Sequence, residues 1–344
     1  MGVDRLPEGP PEATPGAPTT ARGGASATGK VQHHGAFTAT DLASRARGAG
    51  EVISVVIPAL NEQATVGAVV ASIHDHLVSR VGLVHEVLVV DADSTDDTAA
   101  VAAAAGARVV RQSEVLPQLG TAPGKGEAMW KGLAAATGTL IVFLDADVID
   151  VGPHFVVGLL GPLLKDPGIE LTKAAYDRPY TDATGHRQGV GGRVSELTVR
   201  PAIALWFPEL AGVVQPLAGE VAARRSLLET LPFVRGYGVE IAMLIDIARR
   251  CGPAAIGQVD LGQRTHDHQD LPALGRMATE LLQVMVARRD RTGPDRTTTA
   301  PDHVQRSSSV TLRQPQRDAA GHLDVAPYDV EVAERPPLRD VAER

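Results

Sequence analysis

The sequence predicts an α/β fold with a mostly parallel central sheet and helices on both faces. Three observations carry that expectation. Short apolar runs alternate with helical patterns, as in successive β-α units. EVISVVIPAL at 51–60 is apolar without alternation, which suits a strand buried on both faces. Several of the runs end in carboxylates rather than turn residues alone, at the strand ends where ligands of such sheets collect.

Taken in order, residues 1–48 are rich in Pro, Gly, Ala and Thr with almost no large apolar groups, so they cannot offset their ordering entropy, and a disordered N-terminal extension is expected. After the strand at 51–60, Asn61 is placed to cap a helix whose Val66, Val69, Val70, Ile73 and Leu77 share one face. HEVLVVD at 85–91 is a second strand, and Ser94 to Asp97 resembles a capping box before an Ala-rich helix that stops at Gly106. Ala107 to Arg111 is a short third strand. GKGEAMWKGLAAATG at 124–138 reads as loop then helix, and TLIVFLDAD behind it as a fourth strand. From about residue 292 the composition becomes polar and charged again, with Val310, Leu312, Val325 and Tyr328 as scattered anchors; this disordered tail is expected at most to dock on a partner subunit.

The fourth strand ends unusually. Asp145 and Asp147 are separated only by Ala146, so in extended chain the two carboxylates point the same way, roughly 7 Å apart. Like charges repel there unless a divalent cation or ligand donors are present.

Bulk properties narrow the function. The chain has 344 residues and is 44% hydrophobic, ample for a large core. Only 3% of residues are aromatic and the net charge is −8, which argues against nucleic-acid binding. Cys251 is the single cysteine, so no intrachain disulfide forms and a cytoplasmic location is expected. No run approaches the roughly 20 apolar residues of a membrane span, and no basic-then-apolar leader is visible.

Two phosphate-binding devices fail. Where a dinucleotide fold wants G-x-G-x-x-G after the first strand, the chain has PALNEQ. GTAPGKG at 120–126 has one residue too few for a P-loop and ends in Gly126 rather than Ser or Thr. What remains is a sheet with carboxylates at its strand ends, suited to a nucleotide sugar whose diphosphate is bridged by a metal ion.

VVIPALNE (55–62), VVDADSTDDT (89–98), PGKGEAMW (123–130) and LDADVI (144–149) resemble, in order, the signature of glycosyltransferases with the GT-A (Rossmann-like) fold. GGRVSELTVRP (191–201), QPLAGEVAARR (215–225), GYGVEI (236–241) and LGQRTH (261–266) narrow this to a resemblance to the actinobacterial glucosyl-3-phosphoglycerate synthase family, over about residues 51–290. The resemblance implies a nucleotide-sugar-binding half at 49–150, an acceptor-binding half at 151–291 and a C-terminal tail at 292–344. It implies retaining transfer of glucose from UDP-glucose to the 2-hydroxyl of 3-phosphoglycerate, with Mg²⁺ or Mn²⁺, in a cytoplasmic homodimer.

It also implies roles. Asp147 and His266 bind the metal, and Asp145 addresses the ribose and the metal's surroundings. Pro58, Ala59, Leu60, Glu62 and Ala92 cradle the uridine; Ala92 stands in DADS where relatives tend to have DSGS. Lys125, between two glycines that free the backbone, contacts the nucleotide. Gly191, Gly192, Arg193 and Ser195 bind the acceptor phosphate, with His268 nearby. Glu240, a carboxylate among apolar residues of a helix, contacts donor sugar or acceptor, and with Asp147 and Lys125 makes the catalytic set; Tyr237 is a weaker candidate. Singly, each residue also has an ordinary reading as cap, solvated loop charge or packing group. A GDP-mannose donor on the same scaffold is the nearest alternative, followed by a nucleotidyltransferase, a polyprenyl-phosphate glycosyltransferase or a noncatalytic nucleotide-sugar binder.

Overall fold

The computed structural model describes residues 29–149, 151–181, 187–190, 192–264, 270–290, 307–317 and 323–342. Along the chain run β1 (Val31–His33), α1 (Ala39–Ala49), β2 (Ile53–Ala59), α2 (Val66–Ile73), β3 (Glu86–Asp91), α3 (Thr98–Ala104), β4 (Arg108–Arg111) and α4 (Lys125–Ala135). Then come β5 (Leu140–Phe143), α5 (Pro153–Lys165), β6 (Leu171–Thr181), β7 (Arg187–Val190), α6 (Arg200–Trp206), β8 (Val221–Arg224) and α7 (Arg225–Leu228). The last are β9 (Phe233–Val234), α8 (Val239–Cys251), β10 (Ile256–Gln263), α9 (Leu271–Arg289), β11 (Ser307–Arg317), β12 (Leu323–Arg335) and α10 (Leu338–Ala342).

One sheet has the order β1-β10-β6-β8-β5-β2-β3-β4, with β7 paired to β6. β2 lies between β5 and β3 and is parallel to both, as its unbroken apolar run predicts. β8 runs antiparallel to β5 and β6, the exception in an otherwise parallel main path. Alternate residues of the strands feed two cores, one per face. Val56, Leu88, Val90, Ile141 and Phe143 pack with residues of α4, α8 and α9, whereas Val55, Ile57, Val87, Val89 and Val142 pack with residues of α1, α2 and α5. The strands of residues 49–150 (β5-β2-β3-β4) and those of the following segment (β10-β6-β8) form adjacent blocks that meet at the β5–β8 pairing, and both cores draw residues from each block.

Disorder through residue 48 does not hold from residue 29 onward. β1 pairs with β10, and α1 is capped by Thr38, whose hydroxyl accepts from Asp41 N. Its small apolar face of Leu42, Ala43 and Ala46 is buried. Low overall hydrophobicity hides this helix, because only three well-spaced residues are needed to seat it. The C-terminal tail also departs from expectation. β11 and β12 form a hairpin in register from Ser307 opposite Ala333 to Arg317 opposite Leu323, and β12 adds to β9 of the same chain. Of the anchors named from the sequence, Val310 and Val325 are exposed; the hairpin is seated instead by Ala326, Val330 and the continuous buried run Val332 to Arg335 of β12.

Asn61 does not cap α2. It adopts a left-handed conformation, φ 57°, and its side-chain oxygen accepts from Thr95 N (2.9 Å), tying the loop after β2 to the loop after β3. α2 begins four residues later than that reading, without a side-chain cap.

Candidate active site

The carboxyl ends of the parallel strands carry a compact cluster of charge. Lys125 opens α4 and reaches Asp145 Oδ1 (2.5 Å) and Glu240 Oε1 (2.8 Å), the latter in the first turn of α8. Arg264, just after β10, donates through one nitrogen to Asp145 Oδ2 (2.9 Å) and Asp147 Oδ1 (3.1 Å). Its other terminal nitrogen lies 3.2 Å from Glu220 Oε1 and donates to the Tyr176 hydroxyl (3.1 Å), which in turn donates to Glu220 Oε2 (2.9 Å). Lys173 of β6 is buried in the same region and donates to Ala218 O. The structure thus gathers Lys125, Asp145, Asp147 and Glu240, which the sequence named one by one, into a single cluster.

Three details differ from expectation. The two aspartates converge through a turn after Phe143 rather than along an extended strand, since β5 ends before them. The aspartates are also unequal: the Asp147 side chain is 53% exposed and Asp145 only 16%. Finally, the glycines around Lys125 do not loosen the loop. A Cβ on Gly126 would collide with the Val234 carbonyl and one on Gly124, at φ 120°, with the Arg235 carbonyl, so both allow close approach of β9.

Electrostatics follow from burial set against opposite charge. Burial opposes the charge of Lys125, but Asp145 and Glu240 outweigh it and raise its pKa above the usual lysine value. Burial likewise opposes ionisation of Asp145, and Lys125 and Arg264 reverse it, holding the carboxyl well below its usual range. Lys173 lacks a partner of that strength; burial lowers its pKa to about 8. Glu62 is pushed up by burial and by the charges of Asp147, Asp96 and Asp145, a Thr65 hydrogen bond opposing.

Pro58 and Ala59 end β2, Leu60 is 56% exposed, and Ala92 N donates to Ala59 O (2.8 Å), so these nucleoside candidates line adjacent strand ends. Gly192, Arg193 and Ser195 lie elsewhere, at the start of the helical stretch 193–206, where Val194 and Val199 are buried in the core. Two links join that stretch to the cluster. Arg200 donates to the Val213 and Val214 carbonyls, and Gln215 donates to Tyr176 O (3.0 Å). Gly191, His266 and His268 fall outside the described residues.

Sequence reasoning missed Arg264, Glu220, Lys173, Tyr176 and Gly219. Signals were present: Glu220 and Lys173 are lone charges inside apolar strand runs, and Arg264 stands two residues before His266. Gly219 has no room for a side chain, because a Cβ there would strike the Lys125 ammonium and the Asp145 carboxylate.

The donor set suits a divalent cation. Asp145 and Asp147 already converge on one positively charged nitrogen, hard carboxylate oxygens match Mg²⁺ or Mn²⁺, and Asp147 is open to solvent.

A family profile described as Glycosyl transferase family 2 matches residues 54–167. A glucosyl-3-phosphoglycerate synthase of Mycobacterium tuberculosis is 50% identical over 243 residues, 70% of this chain and 74% of that one. A crystal structure of the M. tuberculosis enzyme with Mn²⁺, UDP and phosphoglyceric acid superposes with a TM-score of 0.73 at 41% identity, covering 89% of this chain and 95% of that one. A mannosyl-3-phosphoglycerate synthase from Rubrobacter xylanophilus superposes with a TM-score of 0.79 at 40% identity, covering 90% and 95%.

Proposed function

This chain belongs to the glucosyl-3-phosphoglycerate synthase family, and on that premise we propose that its charged cluster is the donor half of a metal-dependent glucosyltransferase site. The enzyme transfers glucose from UDP-glucose to 3-phosphoglycerate, giving glucosyl-3-phosphoglycerate and UDP. The observation that carries the site assignment is the convergence of Asp145 and Asp147 beside Lys125 and Glu240, at the strand ends where a nucleotide sugar would lie.

In this reading Pro58, Ala59, Leu60, Glu62 and Ala92 hold the uridine. Asp147 and His266 hold Mg²⁺ or Mn²⁺, which when bound supplies positive charge to the leaving diphosphate. Lys125 adds a fixed ammonium beside it; its raised pKa keeps it charged through the neutral range. Glu240 accepts from Lys125 and, buried at the head of α8, contacts the donor sugar or the acceptor. Gly191, Gly192 and Arg193 grip the acceptor phosphate, with Ser195 and His268, and so aim its 2-hydroxyl at the anomeric carbon. Transfer proceeds with retention, and the chain's contribution is positional and electrostatic.

Incubation with UDP-glucose, 3-phosphoglycerate and Mg²⁺ or Mn²⁺, with and without chelator, tests the whole reading. Absence of glucosyl transfer under every metal condition would sink it. A GDP-mannose donor is the second reading, favoured by the 0.79 TM-score to the mannosyl enzyme, and competition between the two donors separates them.

No helix among the described residues is long and apolar enough to cross a membrane. We place the enzyme in the cytoplasm, which the single cysteine supports, and assign a homodimer, supported by exposed apolar residues Val310 (45%), Val325 (51%) and Leu323 (74%) on the C-terminal hairpin. Sedimentation of the full chain as a monomer would remove that assignment.

A further inference from the structure

We propose that Arg335, at the end of β12, is a positioning residue for Lys125, so that the C-terminal hairpin is a working part of the donor site. This rests on the reading of Lys125 as a donor contact. Glu127, in the first turn of α4, is fully buried and Arg335 is 3% exposed. Arg335 grips both oxygens of that carboxylate, Nε to Oε2 and Nη2 to Oε1, each at 2.6 Å. The same guanidinium donates to Leu119 O (2.9 Å) and Gly120 O (3.3 Å), and its carbon lies 5.4 Å from the centre of the Trp130 ring. One planar fork therefore fixes the turn that leads into α4, the first turn of α4, and the face of its tryptophan. Lys125, the first residue of α4, lies between the residues so held, Gly120 and Glu127.

β9 completes the grip from the other side. It pairs with β12, Val234 opposite Glu334 and Phe233 opposite Arg335, and Arg235 N donates to Ala333 O (2.9 Å). Arg235 O then accepts from Glu127 N (3.0 Å), and Gly124 and Gly126 rest against the carbonyls of Arg235 and Val234. From β9 the chain passes directly into α8 and Glu240. Both partners of the Lys125–Glu240 pair thus hang on segments that β12 holds. A buried ion pair gives little net stability over an apolar one of equal volume, whereas its geometry is tightly specified. The fork therefore sets position, here the height of the Lys125 ammonium against Asp145 and Glu240.

Arg288 supplies the control. It is equally buried and pairs with Asp246 and Glu334, joining α9, α8 and β12, but makes no hydrogen bond or ion pair to α4 or to the turn before it among the described residues. The test compares Arg335→Lys, the neutral double change Glu127→Gln with Arg335→Gln, Arg288→Lys and Lys125→Ala in the full chain. UDP binding is titrated calorimetrically in Mn²⁺, thermal melting is followed, and KM is measured for each substrate. The expected result is UDP binding weakened about tenfold or more in both Arg335 variants, with the KM for 3-phosphoglycerate unchanged. Arg288→Lys should lower the melting temperature comparably while leaving UDP affinity unchanged. UDP affinity within twofold of the parent in a folded Arg335 variant overturns the proposal, as does equal weakening in Arg288→Lys or failure of both Arg335 variants to fold. Unchanged UDP affinity in Lys125→Ala would instead overturn the role of Lys125 itself, which separates the two failures.

Discussion

The two ends of the central sheet are both crowded with charge, yet they are organised on opposite lines. At the amino end Glu86 accepts from Ser54 Oγ (2.5 Å), Thr137 N (2.7 Å), Thr137 Oγ1 (2.8 Å) and Arg108 Nη2 (2.7 Å). Arg225 there donates to Glu229 (2.7 Å) and Ala136 O (2.7 Å). Each group meets complementary ones and the network closes on itself. At the carboxyl end four carboxylates, Asp145, Asp147, Glu220 and Glu240, are gathered around three basic groups, Lys125, Lys173 and Arg264. Their pairs are shared rather than exclusive, and Asp147 remains half in solvent. The first arrangement holds strands together. The second leaves charge available to a ligand.

Removing the open carboxylate should break the carboxyl end most severely as a catalyst and least as a structure. Asp147→Ala is expected to lower transfer about a thousandfold or more, because an interaction aimed at the departing diphosphate is lost. Its exposure means that the melting temperature should move little. Asp145→Ala sharpens the contrast within the pair: it takes one carboxylate from each of two largely buried cations and leaves Glu240 to Lys125 and Glu220 and Asp147 to Arg264, so about 1.5–3 kcal/mol of stability should go along with activity. Rates and thermal melts on both variants decide this. Equal stability loss in the two would show that the acidic pair acts as one structural unit.

Next in size is the acceptor side. Arg193→Ala should raise the KM for 3-phosphoglycerate about ten- to a hundredfold, the range for losing a hydrogen bond between charged groups, while UDP affinity stays unchanged. If UDP affinity falls equally, the helical stretch 193–206 is part of the donor site and the division of labour proposed here is wrong.

How much of this contrast was legible in the sequence follows from its physical origin. The strand ends were readable, because an apolar run that stops at a carboxylate marks where the element ends: Asp91 closes β3 and Asp145 follows β5. Lys125 and Glu240 could be named but not joined, since their meeting depends on the close approach of β9 to Gly124 and Gly126, a tertiary event without local periodicity. Arg264 was readable only as a neighbour of His266. The tail was misjudged for a related reason: Arg335 finds Glu127 more than two hundred residues earlier, and composition alone makes such a segment look unanchored. α1 was lost because Leu42, Ala43 and Ala46 are too few to lift the hydrophobicity of the segment, though enough to seat one helical turn against α5.

The smallest catalytic effect belongs to the amino end, where Glu86→Gln should leave transfer at neutral pH unchanged and alter stability. Its hydrogen bonds from Ser54, Thr137 and Arg108 overcome the cost of burial and lower the Glu86 pKa from 4.5 to about 2. A carboxyl group depressed in the folded state binds fewer protons there than in the unfolded chain, so its stabilisation is complete above pH 4.5 and is lost as the pH falls through about 2. The parent should therefore lose denaturant resistance between these limits. Glu86→Gln should be less stable by about 1–3 kcal/mol at neutral pH, through weakened pairing of five donors, and should show a flatter profile across the acid window. Denaturant midpoints from pH 2 to 7 measure both quantities. A variant that matches the parent's acid profile, or loses transfer at neutral pH in proportion to stability, would mean that the two ends of the sheet are coupled rather than specialised.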